Sequence, residues 1–308
     1  MSIDELPRLT AACRAHLPHV LRWAGAIARG LRKFDIGLGG KTSGSENTDA
    51  LTLADLTCQE LIVSFLRDSD PIFRRCRIEA EEITGDLARF AAEAEFTIAI
   101  DPIDGTKAYR DRSGPGYATM LLVRSVETVH YSLVFSPENG PHGSWMQACG
   151  DEVVTGADDP SCPAPEVVAS LPKVDPATRP PSNRIYVIGF QERDPEVARL
   201  LSTIGLHGHT AAEMPGSLFE LLATGEFGGA LIHTPNVYDF PAALHVARIL
   251  GGDAVWVHDR QPVHFRELWL DERADMLRLP GIVAVSAERN TREALCGLAR
   301  DWPRERYR

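Results

Sequence analysis

The stretch that decides the fold is residues 96–109, FTIAIDPIDGTKAY. Its apolar half predicts a β-strand over 97–100, which would place Asp101 at the carboxyl end of the strand, where α/β folds expose their functional sites. Pro102 forces a turn, so Asp104 is expected to lie beside Asp101. Two carboxylates held in one turn repel each other unless a proton or a cation lies between them. Because hard oxygen ligands suit Mg²⁺, the turn predicts a magnesium site.

The residues that follow the second aspartate fit the binding of a phosphate group. Gly105 permits a close backbone approach or an unusual φ angle, and Thr106 supplies a hydroxyl and can begin a helix whose free N–H groups face an anion. A capped turn without a ligand is the alternative, since Asp, Pro and Gly are the commonest turn residues. Further carboxylates weaken that alternative, because Glu81 and Glu82 precede a loop and Asp239 opens a predicted helix.

Apolar periodicity outlines the first half of the chain. Helical spacing predicts an amphipathic helix over 6–31, which Pro18 could interrupt, and a second helix over 53–66. Between them lies a polar, Gly-rich stretch that is typical of a loop. Short apolar runs predict strands over 117–123 and 129–135, which a short polar segment joins as a hairpin.

A Pro-rich segment predicts the connection between two halves. Seven prolines between residues 155 and 183 exclude one continuous helix or a central strand there. Beyond them, strand and helix alternate as in a sheet covered by helices. The strands and helices predicted there are 185–190, a helix from Asp194, 217–224, 228–233 and 240–250. We therefore expect an N-terminal α+β half over 1–157, a Pro-rich connection over 158–182 and a C-terminal α/β half over 183–308.

Composition and charge exclude several classes of protein. The 308 residues are 44% hydrophobic and 24% charged, which is ordinary globular composition and excludes an intrinsically disordered chain. Acidic residues (43) exceed basic ones (32), and the net charge of −11 argues against broad binding of nucleic acid or anionic membranes. The six cysteines form no CxxC pair, so neither a zinc knuckle nor a thioredoxin-type site is expected. No apolar run reaches the length of a membrane span, and a soluble cytoplasmic protein is the simplest expectation.

Four motifs occur in the order found in one known family. Asp101–Thr106 match the pattern DP(I/L)DGT, and Glu81–Glu82 form an acidic pair upstream of it. The segment 49–55, DALTLAD, matches D-x-x-T-x-x-D, and Tyr238–Asp239 precede a small-residue helix and a Gly-Gly pair. Over residues 41–252 the sequence resembles the inositol monophosphatase family. This family lies within the lithium-sensitive, Mg²⁺-dependent phosphatase superfamily, which includes bisphosphate nucleotidases and fructose-1,6-bisphosphatases.

The resemblance implies a fold, an activity and a set of site residues. The fold would be an αβαβα layered sandwich of the α/β (α+β) class, and the activity would be hydrolysis of a small phosphate monoester with two or three Mg²⁺ ions per site. A homodimer and inhibition by Li⁺ are also implied. The residues assigned to metal binding are Glu81, Asp101, the Ile103 carbonyl, Asp104 and Asp239. The residues assigned to catalysis are Asp55 and Thr106, as a dyad that orients and deprotonates the attacking water, and Glu81. The residues assigned to substrate binding are Asp104, Gly105, Thr106, Lys107, Gly216 and Ser217.

The substrate stays open at the level of sequence. Inositol monophosphatases carry a glutamate seven residues before the aspartate of the WD motif, where this chain has Ile232 with His233 beside it. Lys107 directly after DGT is more typical of bisphosphate nucleotidases and histidinol-phosphatase-like members, which are the alternative activities. Arg110 and Arg112 either contact a second phosphate or belong to a solvated basic turn. A catalytically silent relative that binds a phosphorylated ligand is a further alternative, although unpaired carboxylates without a metal would cost stability.

Overall fold

The computed structural model describes residues 3–39 and 49–307. Most of the predicted Gly-rich loop, residues 40–48, therefore lies outside the described residues. The α-helices of the described part are α1 (Leu6–Leu31), α2 (Leu53–Ser69), α3 (Thr106–Asp111), α4 (Ala164–Ser170), α5 (Asp194–Leu200), α6 (Leu218–Thr224), α7 (Phe240–Ile249) and α8 (Arg289–Ala299). None of the helices in these two ranges is both long enough and apolar enough to cross a membrane.

Two large β-sheets hold the strands, and two short two-stranded ladders accompany them. The first ladder joins β1 (Gly37–Leu38) to β2 (Leu51–Thr52). The six-stranded sheet contains, in spatial order, β3 (Arg77–Ala80), β4 (Thr97–Asp104), β5 (Ala118–Arg124), β6 (Val129–Ser136), β7 (Ser144–Cys149) and β8 (Glu152–Ala157). Only its β3–β4 pair is parallel.

The second sheet has five strands in the spatial order β10-β9-β11-β15-β12. Its strands are β9 (Arg184–Ile188), β10 (His207–Thr210), β11 (Gly229–His233), β12 (Asp253–Trp256) and β15 (Ile282–Ser286). The second short ladder joins β13 (Trp269–Asp271) to β14 (Met276–Arg278). Strands β9, β10 and β11 are parallel, whereas β15 runs antiparallel to both of its neighbours.

Packing of the helices on the two sheets produces five layers. Helices α1 and α2 pack on one face of the six-stranded sheet, and α6 and α7 pack on its other face. The five-stranded sheet covers the far side of α6 and α7, and α5 and α8 cover its outer face. Side chains along β4 alternate accordingly, since Ile98 and Ile100 face the α1 side and Ala99 faces the α7 side. The predicted αβαβα sandwich is confirmed.

Helix α1 continues through Pro18 without a break. A proline in a helix interior removes a backbone hydrogen bond and costs about 3 kcal/mol. Here Leu17, Val20 and Leu21 are fully buried in the core shared with α2 and the first sheet. Burial of such a side chain contributes roughly 1.5–3 kcal/mol, so the three together offset the cost of the proline.

Some elements do not follow from the sequence pattern. Strands β3, β7 and β8 are absent from the sequence-based prediction, and all six residues of β7 are buried, so no polar alternation marks it. The Pro-rich segment contains α4, which packs against α1 through Ala164, Val167 and Val168. Strands of the first sheet end at Ala157 and those of the second begin at Arg184. The division into separate halves stays a prediction.

Candidate active site

A β-bulge in β4 brings Asp101 and Asp104 together. The two aspartates are three residues apart on β4, but they pair with residues that are only two apart on β5. The extra residue bends the strand locally and re-aims its side chains. The strand therefore continues to Asp104 instead of ending in a turn at Pro102, which corrects the expected local geometry. Oxygens of Asp101, Asp104 and Asp239 all lie within 4.8 Å of one another.

Asp239 reaches this cluster from the second sheet. It follows β11 and occupies the N-cap position of α7, but its side chain makes no capping bond to the described residues of that helix. Asn236 Nδ2 donates to Asp239 Oδ2 at 2.9 Å, and Asn236 Oδ1 accepts the backbone N–H groups of Tyr238 and Asp239 at 2.8 and 3.0 Å. This turn orients the carboxylate towards the cluster. Sequence reasoning missed Asn236, although an Asn that bonds the backbone two residues later is a recognisable turn signal.

Asp101 is the member of the cluster that lacks a hydrogen-bond donor from the described residues on one carboxylate oxygen. Asp101 is 2% exposed, and within the described residues its Oδ1 has no hydrogen-bond partner. Burial raises the pKa of Asp101 well above its usual value, and the charges of Glu81, Asp104 and Asp239 raise it further. Burial also raises the pKa of Asp104, and it raises the pKa of Asp239 to about 6. A cation between hard oxygen donors would remove this repulsion, so the residues present fit a magnesium site.

Glu81 lies beside the cluster because it directly follows β3, which runs parallel to β4. Its backbone N–H donates to a β4 carbonyl at 3.1 Å, which places it next to Asp101. Its charge contributes to the raised pKa of Asp101. Glu82 is held by α2, since its backbone N–H donates to Gln59 Oε1 at 2.9 Å, and its charge raises the pKa of Asp55. Both members of the acidic pair raise the pKa of Asp55, and Glu81 also acts on Asp101.

A hydrogen-bonded chain links the start of α2 to the start of α3. Thr106 Oγ1 lies 3.1 Å from Asp55 Oδ1 and 2.8 Å from the Ile103 carbonyl oxygen, so its single proton can be donated to either. Asp55 Oδ2 accepts the Thr52 hydroxyl at 2.6 Å and the Thr52 backbone N–H at 2.8 Å. Burial raises the pKa of Asp55 to about 7, against the opposing effect of the Thr52 bonds. A carboxyl with a pKa near neutrality can take up and release a proton.

Only glycine fits at position 105. Its φ angle is +81°, and a Cβ atom built there would lie 2.5 Å from the Gly116 carbonyl oxygen. A hydrogen bond from the Gly105 backbone lowers the pKa of Asp104, in opposition to burial. Helix α3 begins directly after it with Thr106. The first N–H groups of a helix have no helical acceptor, so they are available to a ligand.

The basic residues of α3 and its end make contacts within the protein. Lys107 Nζ lies 2.7 Å from Asp111, one helical turn later, and Arg110 Nε lies 2.8 Å from the same carboxylate. Arg112 donates to two backbone carbonyl oxygens just after α1, both at 2.9 Å. These contacts give no support to a second-phosphate role for Arg110 and Arg112.

Gly216 and Ser217 stand at the start of α6. Ser217 occupies the N-cap position of the helix and is 4% exposed, but its Oγ makes no capping bond and has no hydrogen-bond partner in the described part of the chain. A Cβ atom built at Gly216 would meet no described heavy atom within 4 Å. A buried hydroxyl without a partner, next to open space, is available to a ligand.

A cavity of about 310 Å³ lies between the two sheets, and most of the site residues described above line it. The predicted site residues that line it are Glu81, Asp101, Ile103, Asp104, Gly105, Thr106, Lys107, Gly216, Ser217 and Asp239. Asp55 lies behind Thr106 and contacts it. The wall also includes Arg278 and Arg306, which sequence reasoning missed because no motif marks either residue.

The sequence profile of the inositol monophosphatase family matches residues 18–301. The chain belongs to the inositol monophosphatase family. The resemblance inferred from the four motifs is therefore confirmed. The members of this family are metal-dependent phosphatases that act on small phosphorylated substrates. A comparison with curated protein sequences finds no match.

Solved structures show that this inositol monophosphatase family member shares its fold with distant relatives. The inositol monophosphatase of Anabaena (Nostoc) is 14% identical, with a TM-score of 0.62 over 97% of this chain and 98% of that one. CysQ of Bacteroides thetaiotaomicron is 16% identical, with a TM-score of 0.61 over 91% and 98%. An IMPase/NADP phosphatase crystallised with Mg²⁺ and phosphate is 15% identical, with a TM-score of 0.66 over 98% and 99%.

Proposed function

We propose that this protein is a Mg²⁺-dependent phosphomonoesterase that hydrolyses a small phosphorylated metabolite. The observation that carries the proposal is the cluster of buried Asp101 with half-buried Asp104 and Asp239, whose oxygens lie within 4.8 Å of one another beside the cavity. Membership of the inositol monophosphatase family supports the reaction class. A relative with the same fold, crystallised with Mg²⁺ and phosphate, supports the choice of metal.

The metal ligands in this proposal come from three elements of the fold. The residues that would hold two or three Mg²⁺ ions are Glu81, Asp101, the Ile103 carbonyl, Asp104 and Asp239. Asp101 would be a central ligand of this set, because the charges of Glu81, Asp104 and Asp239 all act on it. When bound, Mg²⁺ supplies a Lewis acid that lowers the pKa of water and stabilises the leaving oxygen.

Asp55 and Thr106 would handle the proton of the attacking water. The Thr106 hydroxyl accepts from the water and donates its own proton to Asp55, 3.1 Å away. Donation in that direction leaves the Ile103 carbonyl oxygen available as a metal ligand. With a pKa of about 7, Asp55 can hold a proton at neutral pH and release it after each turnover.

The phosphate group would be bound at the starts of two helices. Backbone N–H groups of Gly105 and Thr106 would donate to its oxygens, and the unpartnered Ser217 hydroxyl beside Gly216 would add a donor. Lys107 directly follows Thr106 in α3, lines the cavity and would contact the substrate. Asp104, in the bulge of β4, also lines the cavity and would contact the substrate as well.

A bisphosphate nucleotidase or histidinol-phosphatase-like activity is the second candidate. Ile232 lines the cavity where inositol monophosphatases place a glutamate, so a carboxylate contact to an inositol hydroxyl is missing at that position. CysQ and the IMPase/NADP phosphatase are among the relatives that share the fold. A silent phospho-ligand-binding relative is disfavoured, because the repulsion of Glu81, Asp104 and Asp239 on the buried Asp101 would cost stability unless a metal binds.

Phosphate release from a substrate panel tests the proposal. The panel comprises inositol 1-phosphate, adenosine 3′,5′-bisphosphate, histidinol phosphate and fructose 1,6-bisphosphate, each assayed with MgCl₂ and with EDTA. We expect turnover of at least one ester with Mg²⁺ and none in EDTA. Equal rates in both buffers would contradict the metal assignment, and Mg²⁺-dependent binding of an ester without turnover would indicate the silent relative.

The quaternary structure is a further part of this proposal. The family resemblance leads us to propose a homodimer. Light scattering after size-exclusion chromatography should give twice the mass of one chain, and the mass of one chain would contradict it.

A further inference from the structure

Arg278 is a buried cation on the wall of the cavity. It ends β14, is 4% exposed and lines the same cavity as the carboxylate cluster. Its charge acts on Asp239, where it lowers the pKa against the larger, opposite effect of burial. Arg278 and the carboxylate cluster therefore face the same cavity, where one ligand could contact both.

The partners of Arg278 leave part of its donor capacity unused. Its Nε donates to Asp271 Oδ2 at 2.8 Å, its Nη1 to the Thr234 carbonyl oxygen at 3.1 Å, and its Nη2 to the Met276 sulfur at 3.0 Å. A guanidinium has five N–H donors, and a thioether is a weak acceptor. With respect to the described residues, one N–H on each Nη nitrogen is thus left without an acceptor. A pair of N–H groups on a planar fork matches the oxygens of a phosphate or carboxylate.

A second guanidinium shares the carboxylate that holds Arg278. Arg306 Nε lies 3.8 Å from Asp271 Oδ2, and the Tyr307 hydroxyl donates to the Asp271 carboxylate at 2.8–2.9 Å. Burial and the charge of Arg278 lower the pKa of Arg306 to about 10. The charge of Arg306 also reaches Asp194, whose carboxylate accepts a backbone N–H at 2.7 Å. Arg278 thus shares its ion-pair partner with a like charge, and an anion in the cavity would relieve the repulsion.

We propose that Arg278 binds a second anionic group of the substrate, so that the preferred substrate is a small phosphate ester that also carries another phosphate or a carboxylate. This proposal rests on the phosphatase function proposed above and specifies its substrate class. Asp271 is a positioning residue, because it fixes the guanidinium through Nε and leaves one N–H on each Nη nitrogen for a ligand. Arg306 is also a positioning residue, since it donates to the carbonyl of His233 and the hydroxyl of Thr234, both at 3.0 Å, and so holds this wall.

Two matched substrate pairs test the proposal. Adenosine 3′,5′-bisphosphate is compared with adenosine 3′-monophosphate, and 3-phosphoglycerate is compared with glycerol 3-phosphate. In wild-type protein, kcat/KM should be at least roughly 10-fold higher for the member with two anionic groups in one of the pairs. The pair that shows the preference tells whether the second group is a phosphate or a carboxylate. Arg278→Met should lower that ratio by roughly 10- to 100-fold, chiefly through KM.

Two further variants separate a direct contact from a general effect. Arg273→Met removes the same charge from an exposed position in the same hairpin, and it should keep the wild-type ratio. Arg278→Lys keeps the buried charge but loses the fork, so the ratio should fall there as well, even if the Met variant does not fold. An equal loss on both members of each pair, or a wild-type ratio near one in both pairs, would overturn the second-anion site and leave the phosphatase function standing. Absence of Mg²⁺-dependent hydrolysis of every ester would overturn both proposals.

Discussion

The substitution Asp101→Asn is expected to stabilise the metal-free protein while removing most of its activity. Asp101 is 2% exposed, and its Oδ1 has no partner among the residues described, beside the carboxylates of Asp104 and Asp239. A buried polar atom without a partner costs about 1–3 kcal/mol, and more when it is charged. Asparagine removes the charge with almost no change in volume. At pH 8 in EDTA, the free energy of unfolding should therefore rise by about 2 kcal/mol.

In the presence of Mg²⁺, the wild-type protein should become more stable than the Asp101→Asn variant. A ligand present at 100 times its Kd stabilises the native state by about 2.7 kcal/mol, and the wild-type protein should gain this amount. The variant lacks one of the proposed metal ligands, so its gain should be less than about 1 kcal/mol at the same Mg²⁺ concentration. Its kcat should fall by orders of magnitude, because the same carboxylate organises the ions that activate water.

Urea titrations followed by tryptophan fluorescence, in EDTA and in MgCl₂, provide the measurement. Asp158→Asn is the matched control, since Asp158 is also buried but accepts hydrogen bonds from Arg22 at 2.5 Å and from Trp145 Nε1 at 2.7 Å. Loss of such a pair should cost on the order of 3 kcal/mol in both buffers. The reasoning is refuted if Asp101→Asn is less stable than wild type in EDTA, or if it responds to Mg²⁺ and turns over as wild type does.

Four further outcomes are expected. Thr106→Ala should lower kcat by about 100-fold with a much smaller change in KM, because its hydroxyl acts mainly in the transition state; steady-state kinetics check this, and a change in KM alone would contradict it. In EDTA, the free energy of unfolding should fall as the pH rises from about 4 to about 7. In that window the folded state binds more protons than the unfolded state at its carboxyls, because burial raises the pKa of Asp55 to about 7 and that of Asp239 to about 6 from 3.8, and it also raises those of Asp101 and Asp104. These four carboxyls should outweigh His233 and His245, whose pKa values burial lowers to about 4 and about 3, with the opposite effect on stability. Urea titrations at pH 5 and pH 8 that showed higher stability at pH 8 would contradict this expectation. Single-turnover hydrolysis of a chiral thiophosphate ester should invert the configuration at phosphorus, since water attacks directly; retention would require two displacements. Added Li⁺ should inhibit turnover at fixed Mg²⁺, as the family resemblance implies, and unchanged rates across a LiCl titration would show otherwise.

Features that depend on near neighbours in the chain were predictable from residue patterns. The apolar run before Asp101, the hairpin of β5 and β6 and the helix that Asp239 opens all follow from patterns a few residues long. Strand β7 could not be predicted in this way, because both of its faces are buried and its sequence shows no alternation of polar and apolar residues. Pro18 suggested a break in the first helix, because the local effect of a proline is evident from sequence. The packing of α1 against the core outweighs that effect, and the helix continues.

The functional groups on the β4–α3 segment of the site could be read directly from the sequence. The DPIDGT segment contains the two carboxylates, the glycine that its φ angle requires and the hydroxyl that follows. Which distant groups meet them was settled by the packing of the two sheets. Thr106 contacts Asp55, which is 51 residues away in the chain. Asp239 belongs to the second-sheet side of the site, and Arg278 lines the cavity although no sequence motif marks it. Burial sets the direction in which the pKa values of Asp55, Asp101 and Asp239 move, and burial is a property of the packed layers that no local pattern encodes.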